Sequence, residues 1–216
     1  MENLRYWLGL NMVNGVGPIT IKHLISVFGS PKLVFSANED ELLNIANITK
    51  SKAEAIVNFK EWEHVDREIE RSERGEFSII TMEHENYPLG LRQIDDPPPV
   101  LYVKGELRDS DRFSISIVGS RRCTGYGVSV AEMMSNKLSS YGLTIVSGMA
   151  KGIDSIAHRA ALSAGGRSIG VLGCGIDIIY PKLNVDLFRN IPASGAILTE
   201  FPTGTRPYKE NFPRRN

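Results

Sequence analysis

Cysteine is almost missing. Cys123 and Cys174 are the only two in 216 residues, so the chain can form one bridge at most, and it has neither a disulfide framework nor CxxC spacing. A reducing compartment, the cytoplasm, is the expectation. Long hydrophobic runs are missing too. Stretches such as Ile115–Val118 and Ile169–Leu172 fall far short of the roughly 20 apolar residues of a membrane span. The start, MENLRYWLGLNMV, lacks a basic segment leading into a long apolar core, so no secretory leader is expected. With 42% hydrophobic and 23% charged residues, 20 Gly and 11 Pro, disorder, collagen-like repeats and coiled coil are excluded. The chemical signatures that are lacking narrow the function classes. No HExxH or His/Asp cluster points to a metal, and no GxSxG elbow to a hydrolase nucleophile. The pattern GxxxxGK[ST] is absent, and GxGxxG fails because Ile176-Asp177-Ile178 follows Gly173-Cys174-Gly175. No cofactor and no catalytic residue is expected.

What is present is a charge asymmetry. Residues 1–111 hold 12 Lys/Arg against 19 Asp/Glu, a net −7, and residues 112–216 hold 13 against 6, a net +7. A basic second half suggests either a polyanionic partner or an internal acidic face to dock on.

Residues 1–70 read as a small all-helical domain. Apolar positions at helical spacing follow the turn Gly15-Val16-Gly17-Pro18, and proline suits a helix start because the N–H it lacks would be unpaired there. A weak repeat at an offset of 32 maps Leu10, Val13, Val16, Leu24 and Ile25 onto Leu42, Ile45, Ile48, Ile56 and Val57, and Gly15 and Gly17 onto Asn47 and Thr49. Two helix–turn–helix units are expected. The glycine turn resembles a helix-hairpin-helix, a module that often meets DNA phosphates, although the region is acidic and protein contact or plain packing stays open. Between Glu61 and Glu76 a charge-dense stretch with Trp62, Val65 and Ile69 at helical spacing predicts a solvated connecting helix.

Residues 71–216 change period. Short strands are expected at Phe77–Thr81 and Val100–Val103. An alternation then follows: strands at Ser114–Val118, Leu143–Val146, Ser168–Leu172 and Ala196–Thr199, with helices within Val128–Ser140, around Ile153–Ser163 and near Asn184–Arg189. Ile115, Ile145, Ile169 and Ile197 lie 30, 24 and 28 residues apart, which suits βαβ units. The fold class is α/β: an extended Rossmann-like, doubly wound parallel sheet.

Ligands of such sheets bind beyond the carboxyl ends of the strands. Here those ends carry Gly119-Ser120-Arg121-Arg122, Ser147-Gly148-Met149-Ala150-Lys151, Gly173-Cys174-Gly175 and Glu200-Phe201-Pro202-Thr203-Gly204. Glycine lets backbone N–H groups approach an oxyanion, and the next helix N-terminus favours negative charge. An anion site follows. Asp154 and His158, four residues apart, suggest a buried Asp–His hydrogen bond fixing a helix start. The tail from Arg206 to Asn216 has four cations, one anion and two aromatics. That mixture suits single-stranded nucleic acid, with cations on phosphates and rings under bases, or else a surface loop whose Phe212 packs on the sheet.

These motifs resemble one family. Ser116-Ile117-Val118-Gly119-Ser120-Arg121, Ser147-Gly148-Met149-Ala150-Lys151-Gly152-Ile153-Asp154, Tyr180-Pro181, Thr199-Glu200-Phe201-Pro202 and Phe212-Pro213-Arg214-Arg215-Asn216 are similar to the DNA-processing protein A family (DprA, also called Smf). Its N-terminal helical domain, often described as SAM-like, fits residues 1–70 more loosely. The resemblance implies a cytoplasmic protein that binds single-stranded DNA during natural transformation, protects it and loads the recombinase RecA, working as a homodimer. It points to Arg121, Lys182, Lys209 and Phe212 as the DNA pocket, with loop contacts from Gly119, Ser120, Ser147, Gly148 and Lys151. Arg122, Arg214 and Arg215 complete the expected set. The family continues past the FPxRN motif, so a truncated chain, incomplete in its sheet, is expected. The alternative reading is a nucleotide- or phosphoribosyl-acting enzyme of a related glycine-rich α/β fold.

Overall fold

A computed structural model describes residues 2–216, which divide into two compact units, one up to Val100 and the other Leu101–Asn216. In chain order the first unit holds α1 (Glu2–Met12), α2 (Pro18–Phe28), α3 (Pro31–Ser36), α4 (Glu39–Leu43), α5 (Lys50–Val57), α6 (Trp62–Glu73), β1 (Ser78–Thr81) and α7 (Leu89–Arg92). The second follows with β2 (Val100–Gly105), β3 (Ser114–Ser116), α8 (Gly125–Ser140), β4 (Thr144–Ser147), α9 (Ile153–Ser163), β5 (Ser168–Val171), α10 (Val185–Ser194), β6 (Ala196–Thr199) and α11 (Asn211–Arg215).

In the first unit the helix boundaries are written in capping chemistry. Gly17 and Pro18 open α2, and left-handed Gly29 closes it, its N–H donating to the Ile25 carbonyl at 2.8 Å. The Ser30 hydroxyl caps α3 and a reciprocal Asn38/Glu41 box caps α4. The repeat is real in three dimensions. Gly15 has φ +77° and its counterpart Asn47 has φ +67°, asparagine being the residue after glycine that best tolerates this region. The turn bonds correspond as well: Val16 N–H to Val13 C=O, and Ile48 N–H to Ile45 C=O, both at 3.2 Å. Leu10, Val13, Val16 and Leu24 are buried together with Leu42, Ile45, Ile48 and Ile56. The last expected pair departs, since Ile25 is half-buried and Val57 exposed. The connecting helix α6 is less solvated than expected: Val65 is buried and so is Glu68, whose carboxylate lies 3.3 Å from His64 Nε2 one turn back.

The second unit is an α/β sandwich of Rossmann-like design. Its strands run in the order β2-β6-β5-β4-β3. β3, β4, β5 and β6 are parallel and β2 adds antiparallel to β6, with Tyr102 opposite Thr199. Ile115, Ile117 and Ile145 meet Leu138, Ala157 and Ala161 in the core beneath α8 and α9. Small residues on the helix faces let two helices pack close to the sheet and to one another. Away from the strand ends, Arg167 donates to both Asp111 carboxylate oxygens at 2.9 Å and to the Glu106 and Ser194 carbonyls. That pins the opposite end of the sheet. Among the described residues no helix is long and apolar enough to cross a membrane.

Candidate functional site

Parallel pairing brings the carboxyl ends of β3, β4 and β5 to one rim, and α9 starts there with its unpaired N–H groups. The turn after β3 is folded by its own side chain: Ser120 Oγ accepts from the Arg122 N–H at 3.0 Å. Gly119 backs directly onto Ile153, and the Ile153 N–H donates to the Ser120 carbonyl at 3.3 Å. The turn is thereby seated on the first residue of α9, and Arg121 is carried to the edge of a cavity of about 200 Å³.

The floor of that cavity is apolar, made by Met149, Leu172 and Cys174, all buried. Burial, helped by the nearby Asp177 charge, pushes the Cys174 thiol up to about 11, so it is a neutral hydrophobe at neutral pH rather than a nucleophile. One wall is aromatic. The rings of Tyr180 and Phe212 lie 5.8 Å apart, and the Arg121 guanidinium sits 5.5 Å over Phe212. Lys151 stands on the rim. Phe212 packs against Gly173, where any Cβ would fall 2.8 Å from the ring. Behind this wall Arg215 donates to the Gly148 and Val171 carbonyls at 2.5 and 2.7 Å. Burial holds its pKa below the usual guanidinium range against the pull of Asp154, and the like charge of Arg121 adds to the lowering. Among the described residues no carboxylate comes within ion-pair distance of Arg121. Its charge is available to a ligand.

Of the residues expected from sequence, Arg121, Gly148, Lys151 and Phe212 line this one cavity, and Gly119 and Ser120 build the turn that carries Arg121. Lys182 is exposed and follows Pro181, which lines the cavity. Lys209 is exposed three residues before Phe212, with only a loose 3.8 Å contact to Glu210. Ser147 is buried and its hydroxyl donates to the Ile117 carbonyl at 2.6 Å, a strand-to-strand tie rather than a ligand contact. Arg122 is exposed beside the cavity without lining it. Arg214 turns to Glu200 at 2.6 Å and over the Phe201 ring at 5.2 Å.

The expected Asp154–His158 hydrogen bond is not formed. Asp154 turns back to accept from the Ala150 N–H at 3.3 Å, steadying the loop before α9. His158, one turn deeper, faces the sheet, where Nδ1 meets Ser168 Oγ at 2.7 Å and that hydroxyl donates to the Ile145 carbonyl at 3.0 Å. The carboxylate turns to a loop N–H ahead of the helix and the imidazole to the core, so the i,i+4 spacing brings no contact. Burial lowers the His158 pKa to about 4, against a weaker pull from the Ser147 backbone. Sequence reasoning missed Tyr180 as a wall, the apolar floor and the role of Glu200. Tyr180-Pro181 was visible as a motif, but nothing local said which way the ring points.

Residues 78–216 match the family described as DNA recombination-mediator protein A. The chain is 37% identical over 215 residues to Protein Smf of Synechocystis, covering 98% of this chain and 54% of that protein. It is 39% identical over 140 residues to DNA processing protein DprA of Bacillus subtilis, covering 64% of this chain and 47% of that one. It spans about half the length of these relatives. The X-ray structure of DprA from Streptococcus pneumoniae superposes with a TM-score of 0.80 at 29% identity, covering 98% of this chain and 72% of that one. A Helicobacter pylori DNA processing protein A, solved for its single-stranded DNA binding mode, superposes at 0.57 with 34% identity over 64% and 63% of the two chains.

Proposed function

The chain belongs to the DNA recombination-mediator protein A family, and from that premise we propose that it binds single-stranded DNA at the carboxyl ends of β3, β4 and β5. What supports this reading above all is the stack of Arg121, Phe212 and Tyr180 beside an apolar floor. Cation and rings side by side match the two faces of an unpaired nucleotide, phosphate and base. Bases that are not paired have a free face to set against these rings, so unpaired strands are preferred over duplex. Lys151, Lys182 and Lys209 extend the positive rim along the strand. The same activity would protect incoming DNA in the cytoplasm and deliver it to RecA, with the protein acting as a homodimer. Residues 1–70 would form the helical domain and 71–216 the DNA-binding one.

The test compares oligo-dT, duplex of equal length and dTMP at two salt concentrations. Tight, salt-sensitive binding of oligo-dT alone is expected. Equal affinity for duplex, or a flat salt dependence, overturns the reading. Release of base or phosphate from mononucleotides would replace it with the enzymatic alternative.

A further inference from the structure

The segment 206–216 supplies the aromatic wall, yet its only regular structure is α11, five residues long. A helix that short does not hold itself together. Two arginines hold it to the sheet. Arg214 reaches Glu200, the residue after β6, and Arg215 reaches Gly148, the residue after β4, and Val171, the last residue of β5. The segment is therefore tied across the ends of three neighbouring strands. The guanidinium of Arg215 is seated against Gly148: a Cβ there would lie 2.2 Å from its Nη1, so a side chain at this position displaces it. Strand-end carbonyls without a ladder partner need donors, and one guanidinium nitrogen, Nη1, donates to two of them at once. Lys209, by contrast, stands in solvent.

We propose that Arg215 is a positioning residue, a clasp that holds Phe212 as the wall of the pocket while making no contact with the DNA itself. This departs from the sequence expectation, which placed Arg215 among the phosphate contacts, and it rests on the single-stranded-DNA reading above. Arg214 is the second, more exposed tie of the same clasp.

The experiment titrates oligo-dT into wild type, Arg215→Ala, Arg215→Lys, Arg214→Ala and Gly148→Ala over a series of salt concentrations, and follows tryptic cleavage after Lys209 in the same proteins without DNA. Arg215→Ala is expected to weaken binding on the order of tenfold at every salt concentration, with the log–log salt slope unchanged and cleavage faster. Arg215→Lys does not restore affinity, because its ammonium stands one bond nearer the backbone than Nη1 and falls short of the two carbonyls. Gly148→Ala unseats the same side chain, so combining it with Arg215→Ala adds little. Arg214→Ala moves in the same direction by less. The proposal is overturned if Arg215→Lys binds like wild type while Arg215→Ala lowers the slope by about 0.7, the mark of one lost phosphate contact. It is equally overturned if cleavage and affinity both stay at wild-type values. If wild type itself fails to bind oligo-dT, the functional reading falls, and the cleavage rates alone still decide whether Arg215 holds the segment. Should Arg215→Ala not fold, Arg214→Ala and Gly148→Ala carry the same two readouts.

Discussion

Each unit of the molecule sets an arginine over an aromatic ring, and the two sites could hardly differ more in consequence. In the first, Arg5 lies 4.5 Å over Trp62, which packs with Tyr6, Phe35 and Phe59 at centroid distances of 4.9 to 5.8 Å. Asp66 takes the Arg5 guanidinium in a two-point bond at 2.6 and 3.0 Å. That bond holds the carboxyl below its usual range and the guanidinium above its own. The charge is spent and the rings meet edge to face. In the second, Arg121 stands over Phe212 with no carboxylate partner among the described residues, beside Lys151 and an open cavity. Similar parts make a structural clamp in one place and the proposed binding site in the other. What separates them is neutralisation: a cation that already has its anion offers nothing to a phosphate.

That contrast can be broken first at its strongest point. Arg121→Glu should weaken oligo-dT binding on the order of a hundredfold at low salt, because it puts an anion where a phosphate is held. The parallel change Arg5→Glu should leave affinity alone and lower only thermal stability. Similar losses of affinity from both, measured by fluorescence anisotropy, would abolish the distinction. Next in size, Phe212→Ala should cost about 1–3 kcal/mol of binding with the salt slope kept, since stacking releases few ions. A slope that drops as far as for Lys209→Ala would show that the ring does not stack. Lys209→Ala itself should have a small effect, a slope reduced by about 0.7 and a loss of affinity that vanishes at high salt.

The last prediction leaves the DNA untouched. His158 is buried and neutral, with a folded-state value of about 4 against an ordinary 6.5, so the unfolded chain binds the extra proton between those values. Its contribution to stability is complete above pH 6.5 and is lost as the pH falls toward 4, by a few kcal/mol at most. Denaturant titrations should show that part of the acid sensitivity disappear in His158→Gln. An unchanged pH profile would mean that the histidine is hydrated.

Local chemistry made much of this readable in advance. The Gly17-Pro18 start, the α9 boundaries at Ile153 and Ser163, and β6 at Ala196–Thr199 appear where the sequence puts them, because caps, breakers and periodicity act over a few residues. The repeat was readable for the same reason, although the second turn had exchanged glycine for Asn47 without giving up the left-handed backbone. Arg214 and Arg215 were not readable in this way. Basic residues beside an aromatic suggest phosphate contacts, and only the folded chain reveals that Glu200 and the strand-end carbonyls had already claimed them. Asp154 and His158 misled likewise, since their spacing allows a contact that the core and the loop before α9 each outbid.

The sequence by itself determined the element types, the alternating α/β order, the rim where the strand-end loops gather and the residues able to meet an anion, because each depends on short-range chemistry and on rules of chain connection. Only the tertiary structure decided which cations remain unpaired, which ring becomes a wall and which arginine serves as a tie. Those outcomes depend on partners tens of residues away, such as Gly148 for Arg215 and Asp66 for Arg5, and packing alone brings them within hydrogen-bond reach.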